Sequence, residues 1–147
     1  MSYAIDTNVL ARSIQEDHSQ HEAARTAVET LISKGETICI FAQNLYEFWV
    51  LATRPTEVNG LELSASEAEA HLTRFEMVFT LKLDTPDVYA EWRDLVTHYS
   101  AMGKTAHDAR LVAAMKVHGV EHLVTFNTAH FKRFAGMITV TEPKDVK

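Results

Sequence analysis

Three carboxylates fall at helix starts, on or beside apolar faces, and at least two of them follow apolar strand-like runs. Asp6 follows Tyr3-Ala4-Ile5 and precedes Thr7-Asn8-Val9-Leu10. Glu47 lies among large apolar residues in Asn44-Leu45-Tyr46-Glu47-Phe48-Trp49-Val50. Asp108 lies in Thr105-Ala106-His107-Asp108-Ala109-Arg110-Leu111-Val112, with Leu111, Val112 and Met115 following at helical spacing. Each acid has a structural explanation of its own. Asp6 can cap the turn that follows it. Asn44-x-x-Glu47 and Thr105-x-x-Asp108 have the spacing of a cap and its third-position acid. Acids also favour helix N-termini through the helix dipole. The three together call for more. Two carboxylates about 5 Å apart repel by about 3 kcal/mol at an effective dielectric of about 20. Convergence raises their pKa values or destabilises the fold, and a divalent cation removes that cost. Oxygen ligands without cysteine suit Mg²⁺ or Mn²⁺, the ions of phosphoryl chemistry. A fourth polar end follows the apolar run Leu123-Val124, where Thr125 and Asn127 can orient an acid or a metal-bound water. Asn127 also reads as a helix cap.

The elements that must position these groups are short strands alternating with amphipathic helices. Strands are expected at Tyr3–Ile5, Ile38–Phe41, Leu81–Asp84, His122–Phe126 and Met137–Thr141. Helices are expected over His21–Lys34, Asn44–Thr53, Ala106–His118 and from Ser64 through Phe79, where Ser64-x-x-Glu67 has capping-box spacing. Thr85-Pro86 opens another helix, with Pro at its first position and Tyr89, Trp92, Val96 and Tyr99 on one face. Thr56–Leu63 reads as a loop, and Thr128–Phe134 as a short helical turn. The pattern predicts an α/β fold with a mostly parallel central sheet flanked by helices. In such sheets ligands bind beyond the carboxyl ends of the strands, which is where the acids fall.

Length and composition agree. The 147 residues are 46% hydrophobic and 23% charged, which suits one folded domain over 1–147 and argues against disorder. No apolar run reaches the ~20 residues of a membrane span. The N-terminus lacks the pattern of a signal peptide. The single Cys39 excludes an internal disulfide framework and a cysteine zinc site. A cytoplasmic setting is the default. Net charge is −6, an argument against a simple nucleic-acid binder. The charge is uneven: from Ala101 onward there are seven Lys/Arg and four Asp/Glu, against seven and sixteen before it. An acidic site beside a more basic flank can hold a polyanion when cations intervene.

Asp6-Thr7-Asn8 after a first strand, Glu47 in a later helix, Asp108-Ala109 opening another, and Thr125-x-Asn127 with Phe131 together resemble a PIN-domain ribonuclease. The likeness is nearest to the VapC-class toxins of type II toxin–antitoxin systems. It runs through the whole chain in order, including the terminal strand and Pro143. It implies that Asp6, Glu47 and Asp108 bind Mg²⁺ or Mn²⁺ and that metal-activated water hydrolyses RNA phosphodiesters. Asn8, Thr125 and Asn127 carry over as supporting groups, and Asn127 falls where many members have a fourth Asp. The resemblance further implies a small antitoxin partner. A homodimer is expected from it and from the aromatic Leu45–Leu51 segment and the Trp92 face.

Other residues receive structural readings. Arg54 is a helix-end cation that can also meet phosphate. His18 and His21 are solvated, and His107 is a helix-start residue able to assist RNA. Trp49 and Trp92 are core or dimer contacts rather than base-stacking platforms. The competing function is a non-catalytic PIN-like module that binds RNA or protein, which Asn127 favours and the three acids oppose. A phosphoacceptor receiver lacks its acidic pair here, and a dinucleotide enzyme lacks its Gly-rich turn.

Overall fold

In the computed structural model, which describes residues 1–147, five parallel strands form one sheet. They are β1 (Ser2–Ile5), β2 (Thr37–Phe41), β3 (Thr80–Lys82), β4 (His122–Val124) and β5 (Thr139–Thr141). The spatial order is β3-β2-β1-β4-β5, with every neighbouring pair parallel. Six α-helices connect them: α1 (Thr7–Ile14), α2 (His21–Ser33), α3 (Ala42–Thr53), α4 (Ala65–Val78), α5 (Pro86–His98) and α6 (Thr105–Val117). Short 3-10 segments cover Thr56–Val58, Thr128–Phe134 and Pro143–Asp145.

The sheet has apolar residues on both faces because side chains alternate along a strand. Ala4, Cys39, Phe41 and Leu123 face one core, with α6, Val88 and Leu95 of α5, and Phe131 and Phe134. Ile5, Ile38, Ile40 and Val124 face the other, with side chains of α1, α2, α3 and α4. Strands buried on both faces read as continuous apolar runs, which is why β2 is legible as Ile38-Cys39-Ile40-Phe41.

The α/β expectation holds, and the differences lie at element ends. A full helix, α1, stands where the sequence suggested only a turn after Asp6; its Val9, Leu10 and Ala11 are buried. α3 starts at Ala42, so Asn44 is not its cap. Asn44 instead folds back, its Oδ1 accepting the Phe41 N–H at 2.8 Å. α6 starts at Thr105 with Lys104 at the cap position, so Thr105 does not cap Asp108. β4 stops at Val124, two residues early, and β3 and β5 are shorter than expected. Ile32 is half exposed rather than part of the α2 core stripe. The Ser64–Glu67 capping box forms reciprocally, each side chain accepting the other's backbone N–H at 3.1 Å.

Phe48 is fully buried and meets Phe75 edge-on, with ring centroids 4.9 Å apart. Phe48→Ala is expected to cost about 3–5 kcal/mol in urea unfolding, because a cavity remains. Ser64→Ala, at an exposed cap, should cost only about 1 kcal/mol.

Candidate functional site

Asp6, Glu47 and Asp108 all come to the carboxyl edge of the sheet. Asp6 immediately follows β1, and Glu47 sits in the helix that follows β2. Asp108 lies in the first turn of α6, which precedes the parallel strand β4 and so starts at the same edge.

Asp6 caps α1, as the sequence allowed. Its Oδ1 accepts the Thr7 N–H at 2.8 Å, and its Oδ2 accepts the Thr125 hydroxyl at 2.8 Å. Thr125 is fully buried at the end of β4. Its Oγ1 also accepts the Asn127 N–H at 3.0 Å and the Asn8 side-chain amide at 3.3 Å. Asn8 Oδ1 in turn accepts the Phe126 N–H at 3.3 Å. Asn8 and Thr125 thus tie the start of α1 to the end of β4 behind Asp6. Asn127 contributes its backbone; its side chain makes no capping bond, although it occupies the cap position of the Thr128–Phe134 segment.

Thr7 links this network to Glu47. The Thr7 hydroxyl donates to Glu47 Oε1 at 3.1 Å and accepts the Asn44 amide at 3.2 Å. Asn44, wholly buried, is itself fixed by Phe41. One turn of α3 also supplies Gln43, whose Nε2 donates to the His107 carbonyl at 2.8 Å. That bond joins α3 to α6 one residue before Asp108. Thr7 was visible only as part of Asp6-Thr7-Asn8, and Gln43 gave no signal, because its partner is a distant backbone carbonyl.

All three carboxyl pKa values are raised above the ordinary range. Loss of water around each group is the largest cause. The charge of Asp6 pushes both Glu47 and Asp108 further up. Opposing this at Asp6 are the Thr125 and Thr7 hydrogen bonds and the charge of His130. His130, His107 and Arg133 temper Asp108, and His107 also tempers Glu47. His130 and Arg133 carry no sequence signal because they lie on the exposed side of a short 3-10 segment whose Phe131 and Phe134 face the core.

The acids therefore share one field without forming a closed cage: no three His, Cys, Asp or Glu side chains stand as a ready set of metal ligands. This suits Mg²⁺, which retains several waters and takes only one or two carboxylates. Two observations fit such an ion. The charge of Asp6 presses on both Glu47 and Asp108, and Gln43 Oε1 is buried without a donor, which a hydrated cation can supply. Asp6, Glu47 and Asp108 are the residues that would supply its carboxylates.

An acid whose folded pKa exceeds its unfolded value binds its proton more tightly in the fold. Between those values the native state carries the extra proton, so metal-free stability falls as pH rises. Unfolded Asp and Glu titrate near pH 4, so the interval lies above about 4. Asp6→Asn is expected to raise the metal-free Tm near neutrality and to flatten this pH dependence. Thermal melts of both proteins in EDTA check it; parallel curves would contradict it.

The profile of the PIN domain matches residues 3–137. No curated protein matches the sequence. Solved structures do match in fold. VapBC-1 from nontypeable Haemophilus influenzae is similar with a TM-score of 0.71 at 9% identity, over 99% of this chain and 100% of that one. VapBC2 from Rickettsia felis, bound to a promoter DNA fragment, gives 0.69 at 17%, over 97% and 98%. VapC20 from Mycobacterium tuberculosis, a toxin that cleaves the sarcin–ricin loop, gives 0.68 at 18%, over 92% and 96%. With the profile spanning nearly the whole chain and the fold shared throughout, the protein belongs to the PIN-domain family.

Proposed function

We propose that this protein is a metal-dependent ribonuclease, the toxin of a toxin–antitoxin pair, acting as one unit over residues 1–147. The observation that carries this reading is the gathering of Asp6, Glu47 and Asp108 in one water-poor field at the sheet edge. Mg²⁺ or Mn²⁺ supplies a Lewis acid and a more acidic bound water at neutral pH. The chain's own part is positional. Thr125 and the Thr7 N–H hold both Asp6 oxygens, leaving their remaining lone pairs for a ligand. Thr7 orients Glu47 from below. Asp108 has no such tether and is the group free to turn toward an attacking water. Arg133 puts positive charge beside Asp108, and the His107 and His130 imidazoles stand beside the acids, where a phosphate must sit.

The likeness to VapC20 and to VapBC complexes supports RNA as substrate and a small antitoxin as partner. A basic side chain of that partner entering the acids competes with metal. Exposed Tyr46, Val50 and Tyr89 on α3 and α5 support a homodimer; sedimentation that finds only monomer at micromolar concentration removes this element. No helix is long and apolar enough to cross a membrane, which accords with the cytoplasmic setting we propose. The second reading, a non-catalytic binding module, rests on Asn127.

Catalysis separates the two. Asp6→Ala, Glu47→Gln and Asp108→Asn should each lower RNA cleavage by about 100-fold or more, since metal-borne charge stabilisation is worth several kcal/mol. The losses should not add, because the residues act as a unit. EDTA should abolish cleavage and Mn²⁺ restore it. Asn127→Asp adds a fourth charge and should tighten Mn²⁺ binding. Wild type that leaves a broad transcript pool intact with either metal, while binding RNA as well as the triple variant, identifies a binding module instead.

A further inference from the structure

A second site lies where α1 and α3 end. Asp6 caps α1 and Arg12 stands six residues on, about 9 Å along the helix axis. Glu47 is in α3 and Arg54 caps its far end seven residues on, about 10 Å away. α1 and α3 pack together, so both arginines come to one cavity of about 470 Å³, which His18 and Asn59 also line.

The lining of this cavity carries two arginines and no carboxylate. Arg25 and Arg110 pair with Glu29 and Asp84, but no ion pair involves Arg12 or Arg54. Arg12 is held by neutral amides, donating to Gln15 at 2.6 Å and Gln20 at 3.3 Å. Those bonds aim the guanidinium and leave its charge whole. Arg54 Nη2 reaches the Asn59 carbonyl at 3.3 Å, while its Nε is buried with no partner. The following loop is built against Arg54. A Cβ on Gly60 would fall 1.9 Å from the Arg54 carbonyl oxygen, so only glycine lets the chain pass. The nearby acids are otherwise placed: Glu62 accepts from Thr56, and Asp17 neighbours His18. Burial and, after it, the Arg12 charge lower the His18 pKa against the opposing charge of Asp17. In a chain of net charge −6, two aimed arginines without carboxylates form a receptor for an anion from outside.

We propose that this cavity binds a backbone phosphate of the RNA strand whose scissile bond lies at the acids. The inference rests on the ribonuclease reading. A stacked strand advances about 3.4 Å per nucleotide, so the axial separation alone corresponds to about three nucleotides between the second phosphate and the cleaved one. The two helices thus run from a site that cuts to a site that grips, and the grip is independent of base identity.

The test reads binding apart from cleavage. Anisotropy of a labelled, unstructured RNA of about 12 nucleotides, in EDTA, is measured over a salt series for wild type, Arg12→Gln, Arg54→Gln, Arg54→Lys and Arg25→Gln. Each loss of charge in the cavity should weaken binding about tenfold and lower the slope of log Kd against log salt by about 0.7. Arg54→Lys should keep the slope, and Arg25→Gln should match wild type. Arg12→Gln lies outside the Gly60 loop, so it decides the matter if Arg54→Gln unfolds. Unchanged affinity and slope in the Gln variants would overturn the proposal and leave the cavity to an acidic protein segment. If wild type cleaves RNA and those variants bind unchanged, the cavity proposal alone fails. If binding needs the arginines but no RNA is cut, the ribonuclease reading fails and the cavity stands.

Discussion

Loss of water around Asp6, Glu47 and Asp108, with the charge of Asp6 pressing on the other two, is the constraint around which the site is arranged. Left alone, such groups would take up protons or drift apart. The chain resists with neutral donors: Thr125 and the Thr7 amide on Asp6, and the Thr7 hydroxyl on Glu47. These donors are themselves held, Thr125 by Asn8 and Asn127, and Thr7 by Asn44. A polar network of this kind is stable only when its buried members are paired. Gln43 Oε1 is the exception within it, and it lies on the residue that ties α3 to α6.

The fold supplies the edge on which this can happen. Parallel strands send their carboxyl ends to one side, and the helices that leave or approach that side begin there. β1 and β2 deliver Asp6 and Glu47 outward, and α6, arriving before β4, brings Asp108 to meet them. Two apolar cores, one on each face, fix the sheet. Their rigidity holds the acids against their repulsion. The same geometry carries α1 and α3 away together, so their far ends place Arg12 and Arg54 in one cavity.

The acids themselves were legible because a lone carboxylate beside a long apolar run is unusual, and three of them fell at the same kind of boundary. β2 was legible from its continuous apolar run, and the Ser64 cap from its spacing. The capping reading of Asn44 and Thr105 failed because both helices start earlier than the spacing suggests, under tertiary packing at Ala42 and after Lys104. α1 was underread because eight residues are short for a helix and no glycine or proline marks its end, although burial of Val9, Leu10 and Ala11 makes it a core element. Gln43, His130 and Arg133 were not legible at all. Their importance comes from partners more than sixty residues away in Gln43's case, and from charges acting through space in the others. Arg54 reads in the sequence as a helix-end cation that can also meet phosphate; the loop folded over it and its unpaired Nε are what the sequence did not carry.

Asp6, Glu47 and Asp108 hold their protons more tightly than free carboxyls do, and a bound divalent ion should reverse this at all three. Carbon-13 NMR of the side-chain carboxyls, with Asp6, Glu47 and Asp108 assigned by substitution, measures this residue by residue. Without metal, all three should titrate above the ordinary range near 4. With saturating Mg²⁺ their midpoints should fall below it, and Asp6 should move with the other two. Three carboxyls that titrate near 4 without metal, and do not respond to Mg²⁺, would contradict the account.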